Sequence, residues 1–509
     1  MQGSERSDRE LTDTLAYCGD LIPEGSVYRF LAEHRLRVFP DEMFADLFTG
    51  RGRPSQPASV MATVLVLQAL ETISDREAVE RLRCDVRWKA AAGLTLTDPA
   101  FHPSVLTLWR ARLRDSDDPE RIFNAVRAVV AETGVVARKK RRALDSTLLD
   151  DAVATQDTVT QLVAQIRKCR RLIPEAAGVA VIAHDYEAKG KPECDWTDPG
   201  ERADLIDALV DDALAILAAV DGVELDDEQA DAVGLLAVVA GQDVEQDPKI
   251  PGRWRIVRGV AKDRTISTVD PEARHARKSR SQRRDGYKAH IAAEPDTGII
   301  TDAKLTPANV SDAEVGPELV ADEKPGREIL GDSAYGSGEA LNRLGAQGHA
   351  TTIKPIERKP TIAGGFGRDA FKINTRRKAV TCPAGNTVKI TPGGTAAFGK
   401  ACAGCPLRSR CTTAVAGRTI IVDEFEEDRK ANKARWADPA TQKSYRRHRP
   451  MVERSIAWMA RGRARRVPYR GVAKNHQWLT TRVVAVNLTR LLNLGLTLDG
   501  SSFRVARTR

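Results

Sequence analysis

Aromatic side chains are scarce, only 5% of the 509 residues, which argues against a stacking platform for single-stranded nucleic acid as the main business of the chain. No apolar run reaches the length of a membrane span and no secretory h-region appears; the apolar stretch at 213–220 is short and set in an acidic helical pattern. Cysteine is also sparse, at eight residues, so a disulfide scaffold is excluded. The expectation is a reduced, cytoplasmic chain with no membrane partner. The 42% hydrophobic and 29% charged fractions suit a soluble protein with real cores, and the length calls for more than one domain.

The net charge of +9 is modest, but its distribution is uneven. Residues 198–248 are acidic, whereas basic residues cluster at 138–142, 275–284 and 446–474. Basic blocks of this kind fit a phosphate-backbone footprint. Three carboxylates lie among them. Asp145, in Ala-Leu-Asp-Ser-Thr, and Asp332, in Ile-Leu-Gly-Asp-Ser-Ala-Tyr-Gly, each follow a short apolar run, as residues at strand tips do. Glu453 follows Pro450, which suits a first helical turn or a kink, so a place near a helix N-terminus is expected, where the dipole favours an ionised carboxylate. Acids brought from two strands and one helix can converge on divalent metal facing phosphate, with ions about 4 Å apart. Each also has a plainer reading. An aspartate after a strand is commonly a turn former or a cap, and Arg449–Glu453 has the spacing of a surface pair. Asp150 and Asp151 compete with Asp145 but lie past the strand.

The pattern along the chain predicts an α/β fold. Residues 1–137 read as a helical domain. A helix over 59–71 precedes Ser74-Asp75-Arg76-Glu77, which has capping-box spacing and opens a second helix through Arg83. The pair has helix-turn-helix proportions, shared by any bundle hairpin. Trp109, in a helix over 103–113, reads as core. A strand over 143–149 leads into a helical insertion at 152–250. A short strand at 254–257 follows, then a hairpin of 287–294 and 298–305, with Lys288 and His290 expected on opposite sides of its first strand. His290 is read as facing the site or as a satisfied core histidine, and Asn309 and Asp312 as caps. A helix over 311–319, a strand at 328–330, a helix over 337–347 and a strand at 349–354 complete a mixed sheet flanked by helices. Residues 375–420 hold Cys382, Cys402, Cys405 and Cys411, spaced Cys-x19-Cys-x2-Cys-x5-Cys. Four thiolates suit a structural Zn2+ site, the alternative being reduced cysteines in a loop. Helices are expected over 425–459 and 476–494, then a tail at 496–509. The stretch 461–470 carries five arginines, whose planar forks suit phosphate oxygens.

Five blocks occur in order: Leu144-Asp145-Ser146-Thr147, Gly286-Tyr287-Lys288-Ala289-His290, Leu305-Thr306-Pro307-Ala308-Asn309-Val310-Ser311-Asp312, Gly331-Asp332-Ser333-Ala334-Tyr335-Gly336 and Arg449-Pro450-Met451-Val452-Glu453-Arg454. Together they resemble DDE transposases of bacterial insertion sequences with an InsH-like N-terminal domain. The resemblance spans roughly residues 20–495. It implies an RNase H-like catalytic core within 138–495, with Asp145 on the first strand, Asp332 on the fourth and Glu453 on a later helix. It also implies Mg2+ (or Mn2+) held by those three acids, cleavage at transposon ends and strand transfer into target DNA. The implied partners are double-stranded DNA, as terminal inverted repeats and target, and a second copy of the chain on that DNA, with a nucleoid-associated location. Arg449 would touch phosphate near the cut, and Arg446, Arg461, Arg463, Arg465, Arg466 and Lys288 complete the expected DNA contacts. Such families usually show tyrosine three residues before that arginine and lysine seven after the glutamate; here Arg446 and Ala460 stand there, with Tyr445 one residue away. A catalytically inactive or domesticated DNA-binding protein, and a nuclease of the same fold that cuts without joining, are the alternative readings.

Overall fold

The computed structural model describes residues 1–3, 13–49, 51–52, 54–257, 259, 261–277 and 283–506. Its centre is a mixed sheet. Strand β1 (Arg141–Asp150) pairs antiparallel with β2 (Arg283–Ala293), which pairs antiparallel with β3 (Ile300–Pro307). On its other edge β1 runs parallel to β4 (Glu328–Gly331), and β4 parallel to β5 (Ala350–Ile353). The spatial order is β3-β2-β1-β4-β5, with the short strand Arg274–Arg277 extending the outer edge of β2. The expected hairpin is present but longer at its first strand, and Gly286 shows why that block carries a glycine. Its φ is +137°, and a Cβ there would lie 2.4 Å from the Leu149 carbonyl oxygen.

Strand period sorts the faces. Ala143, Leu149, Ile291 and Leu305 face one core, built with the helix Val472–Asn493 and the N-terminal helices; Leu144, Ala292, Ile329 and Tyr335 face a second. The first core is continuous from Val27 to Phe503. The N-terminal helices thus pack on the sheet through a shared interior. The helix Ala58–Glu71 is buried over nearly all its length, and Trp109, in the helix Ser104–Arg114, is buried beside Phe44, as expected of a core residue. The capping box forms: Ser74 Oγ accepts from Glu77 N, and the Glu77 carboxylate accepts from Ser74 N, opening the helix Asp75–Cys84. That helix turns by 111° from its predecessor through Thr72, a non-glycine residue in the left-handed region. Among the described residues no single helix is long and apolar enough to cross a membrane.

The insertion after β1 has its own core, from helices Thr158–Leu172, Pro199–Ala219 and Asp227–Gln242. The strand expected at 254–257 belongs to it: Trp254–Ile256 pairs with Val244–Gln246 and not with the main sheet. The cysteine-rich segment forms two small sheets around Phe371, Val380, Phe398 and Ile420. Residues 496–506, expected as a tail, instead hold a hairpin of Leu496–Asp499 and Ser502–Val505 whose Phe503 packs on Phe30, because one buried aromatic suffices to anchor it.

Burial raises the Asp302 carboxyl on β3 to about 6, against an Ala303 N–H bond and Arg127 that pull it down. The unfolded chain holds the ordinary value near ~3.9, so the folded state binds the proton more tightly. The ionised form therefore costs stability above about pH 6, and that cost disappears as pH falls below the unfolded value. Asp302→Asn keeps the acceptor for Ala303 and is expected to stabilise by about 1–3 kcal/mol at neutral pH, with no gain below about pH 4. Thermal unfolding across that range measures the difference.

Candidate active site

The register of the parallel pair sets the site. Ala143 lies beside Leu330, so two residues on, Asp145 and Asp332 come to adjacent places at the end of β4. Asp145 sits in the middle of β1, not at the tip expected from the sequence, because Ser146–Asp150 continue the pairing with β2. Asp332 does end its strand and caps the next turn, accepting from Ala334 N at 2.9 Å. Glu453 departs further. Its helix spans Pro439–Met459, capped by Asp438 with Pro439 at the first turn, and Pro450 lies well inside. Glu453 is therefore remote from the helix N-terminus, and the dipole argument for its ionisation does not apply. Asp438-Pro439 is the start signal that Pro450 mimicked.

One guanidinium gathers the three acids. Arg449 Nη2 lies 2.8 Å from Asp145 Oδ1 and 3.9 Å from Asp332 Oδ2, and its Nε lies 3.8 Å from Glu453 Oε1. Nη1 donates to the Leu144 carbonyl oxygen. Arg449 is buried, so the structure does not present it as the outward phosphate contact expected from the sequence. Burial works against its charge, but Asp145, Tyr445 and Asp332 outweigh it and hold the guanidinium protonated. The acids differ in setting: the Asp145 side chain is 14% exposed, Asp332 47% and Glu453 62%. Burial raises the Asp145 carboxyl above the usual aspartate range, Arg449 and the Ser146 N–H opposing.

Two tyrosines complete the surroundings. Tyr445, Arg449 and Glu453 are spaced by four, which places them on one helix face. Burial, with Asp332, Glu453 and Asp145 nearby, raises the Tyr445 phenol. The tyrosine expected at 446 stands one residue earlier, at Tyr445, on the face of Arg449 and Glu453. Arg446 is exposed and donates to Gln442 Oε1 at 3.2 Å. Tyr335, of the Gly-Asp-Ser-Ala-Tyr-Gly block, is fully buried with its hydroxyl unpartnered, within electrostatic reach of Asp312, Asp145 and Asp332.

Behind the sheet lies a second polar group. Lys288 and His290 share a face, as residues two apart on a strand must, and both meet Asp312. Lys288 Nζ donates to Val310 O at 2.7 Å and lies 3.6 Å from Asp312 Oδ1; His290 Nδ1 lies 3.3 Å from the same oxygen and Nε2 2.9 Å from Thr306 Oγ1. His290 pairs across from Ser146, on the face opposite Asp145, so it is a buried core residue and does not face the site. Burial keeps its imidazole below the usual value, while His290, Lys288 and Ser146 together overcome burial and hold Asp312 low. Lys288 is thus committed inward, toward Val310 O and Asp312. Asp312 is not a cap, since Ser311 takes that position, and Asn309 bonds to Asp263.

The arginine loop 461–470 leaves Arg461, Arg463, Arg465, Arg466 and Arg470 exposed. Arg463 Nη1 lies 3.0 Å from both oxygens of Glu77, which ties the loop to the start of the helix Asp75–Cys84. Val467 N donates to Asp150 O at the far end of β1.

A family model described as a transposase DDE domain matches residues 258–488, and one described as a transposase domain (DUF772) matches residues 17–112. The chain belongs to the insertion-sequence DDE transposases. Asp332, Arg449 and Glu453 fall inside the DDE match of this transposase; Asp145 falls between the two matches and is linked to the others by geometry. No curated protein and no solved structure matches the chain.

Among the described residues no group of three or more His, Cys, Asp or Glu side chains is arranged to hold a metal ion. The donors nevertheless fit the two metals differently. Asp145, Asp332 and Glu453 are hard oxygen donors that already surround one cation, the Arg449 guanidinium, as divalent Mg2+ chemistry requires. Cys382, Cys402, Cys405 and Cys411 line one small cavity, and Arg418 N donates to Cys402 Sγ at 3.4 Å. Burial raises the Cys411 thiol, with Arg418 opposing.

Proposed function

We propose that this transposase cleaves DNA at the ends of its element and transfers the freed strand into target DNA. The observation that carries the reading is the single guanidinium shared by three acids from β1, the end of β4 and the helix Pro439–Met459. The strand order, with antiparallel β2 and β3 beside a parallel β1-β4-β5, supports an RNase H-like core. Asp145, Asp332 and Glu453 would hold Mg2+ or Mn2+, which when bound activates the attacking oxygen and neutralises charge on the scissile phosphate. Asp145 would be the fixed ligand, held by strand and burial. Asp332 and Glu453, more exposed, would meet the substrate. Arg449 would keep the acids together from within, its guanidinium held between them. The helix Asp75–Cys84 and the arginine loop would hold the terminal inverted repeats, with two chains pairing the two ends.

A plasmid carrying the element's ends tests this. Expected products are cuts at the ends and joined strands in a divalent-cation-dependent reaction. Cutting without joining would indicate a nuclease of this fold, and binding without cutting a DNA-binding protein.

The four cysteines are proposed to hold one structural Zn2+. Purified protein is expected to carry about one zinc per chain. Cys402→Ser is expected to release it and to lower the melting temperature by several degrees, about 2–4 °C per kcal/mol lost in domains of moderate size. Metal analysis and thermal unfolding check both; a zinc-free wild type would contradict the assignment.

A further inference from the structure

A buried arginine joins the two arms of the basic surface. Arg482, in the helix Val472–Asn493, is 6% exposed. Its Nε donates to Met459 O at 2.7 Å, its Nη2 to Trp458 O at 2.8 Å and its Nη1 to Ala69 O at 2.5 Å. Burial alone lowers its pKa to about 10, and among the described residues no carboxylate pairs with it. Its charge is met instead by carbonyls from the last turns of Ala58–Glu71 and Pro439–Met459, where the negative ends of the helix dipoles lie.

Each of these helix ends is the root of one arm. The first leads through Thr72-Ile73 into the helix Asp75–Cys84; the second leads through Ala460 into the arginine loop. The arms meet again at the surface through Arg463 and Glu77. Between root and rim lies an open cavity of about 600 Å³, with Ser74, Arg463, Arg466, Tyr469 and Trp478 among its walls. An apolar side chain in place of Arg482 would fill the interior without burying a charge. The guanidinium adds three directed donors that fix one helix end against the other.

We propose that Arg482 is a positioning residue that makes the helix Asp75–Cys84 and the arginine loop one duplex-binding surface. The inference rests on the reading that this surface binds DNA. A loop with fixed roots meets phosphates without first losing its freedom, whereas a released loop must be ordered on binding. The arginines therefore contribute to affinity only while Arg482 holds the loop's root.

The test is a double-mutant cycle on full-length protein, read as affinity for a fluorescent mixed-sequence DNA duplex at fixed salt. Arg461→Ser, Arg465→Ser and Arg466→Ser together are expected to weaken binding about tenfold or more. Arg482→Lys, which keeps the charge but loses the fork, is expected to weaken it by a similar factor. Combining them should cost no more than the loop substitutions alone. Additive losses would overturn the positioning role, as a general loss of stability would give. Unchanged binding by the loop variant would overturn the DNA reading itself, and the inference with it. Should Arg482→Lys not fold, a Gly-Gly insertion after Ala460 frees the loop while leaving the Arg482 bonds. It is expected to bind like the loop variant, and wild-type affinity would overturn the proposal.

Discussion

Asp332→Asn is expected to lower cleavage at the element's ends by about three orders of magnitude or more, the scale of losing several kcal/mol of transition-state stabilisation. The fold should be indifferent. The Asp332 side chain is half-exposed, and its one backbone duty, accepting from Ala334 N, is open to an asparagine oxygen. Affinity for DNA should also hold, since the arginine loop is a separate surface. Gel-based cleavage, thermal unfolding and duplex binding on the same preparation separate these effects. A loss of all three would point to a structural role for Asp332.

Arg449→Gln is expected to be the most damaging single change, and to act on stability and activity together. It leaves Asp145 buried with its 2.8 Å partner removed and frees the Leu144 carbonyl from its donor. Losing one partner of a buried pair costs about 3–5 kcal/mol; protonation of Asp145, already favoured by burial, relieves part of this. Cleavage should be undetectable. The three acids would then face one another without a cation, so added Mn2+ is expected to raise the melting temperature of Arg449→Gln more than that of the wild type. Equal shifts in the two proteins would show that the guanidinium does not occupy ground the metal needs.

Much of this arrangement is legible in the sequence, and the misplacements share a cause. Short motifs carry the strand ends, the capping box at Ser74 and the order of the blocks, because each depends on neighbours in the chain. Pro450 misled because a proline inside a helix and one at its start look alike until the cap at Asp438 is recognised. The short apolar run before Asp145 suggests a strand tip; the strand instead runs on through Asp150 because β2 pairs with Ser146–Asp150. The DNA contacts expected of Arg449 and Lys288 come with the family resemblance. Both are turned inward by carboxylates that are distant in sequence, Asp145 for one and Asp312 for the other. Tyr445 was within reach of sequence reasoning, since spacing by four puts it on the face of Arg449 and Glu453.

Asp145, Asp332 and Glu453 are proposed to form one metal-dependent centre around Arg449. Glu453→Gln tests it most directly, because that side chain is the most exposed of the three and its amide fits the same helix position without disturbing the core. On DNA carrying the element's ends, with Mg2+ or Mn2+, Glu453→Gln is expected to keep its fold and DNA affinity and to lose cleavage. Near-normal cleavage by Glu453→Gln would contradict that centre.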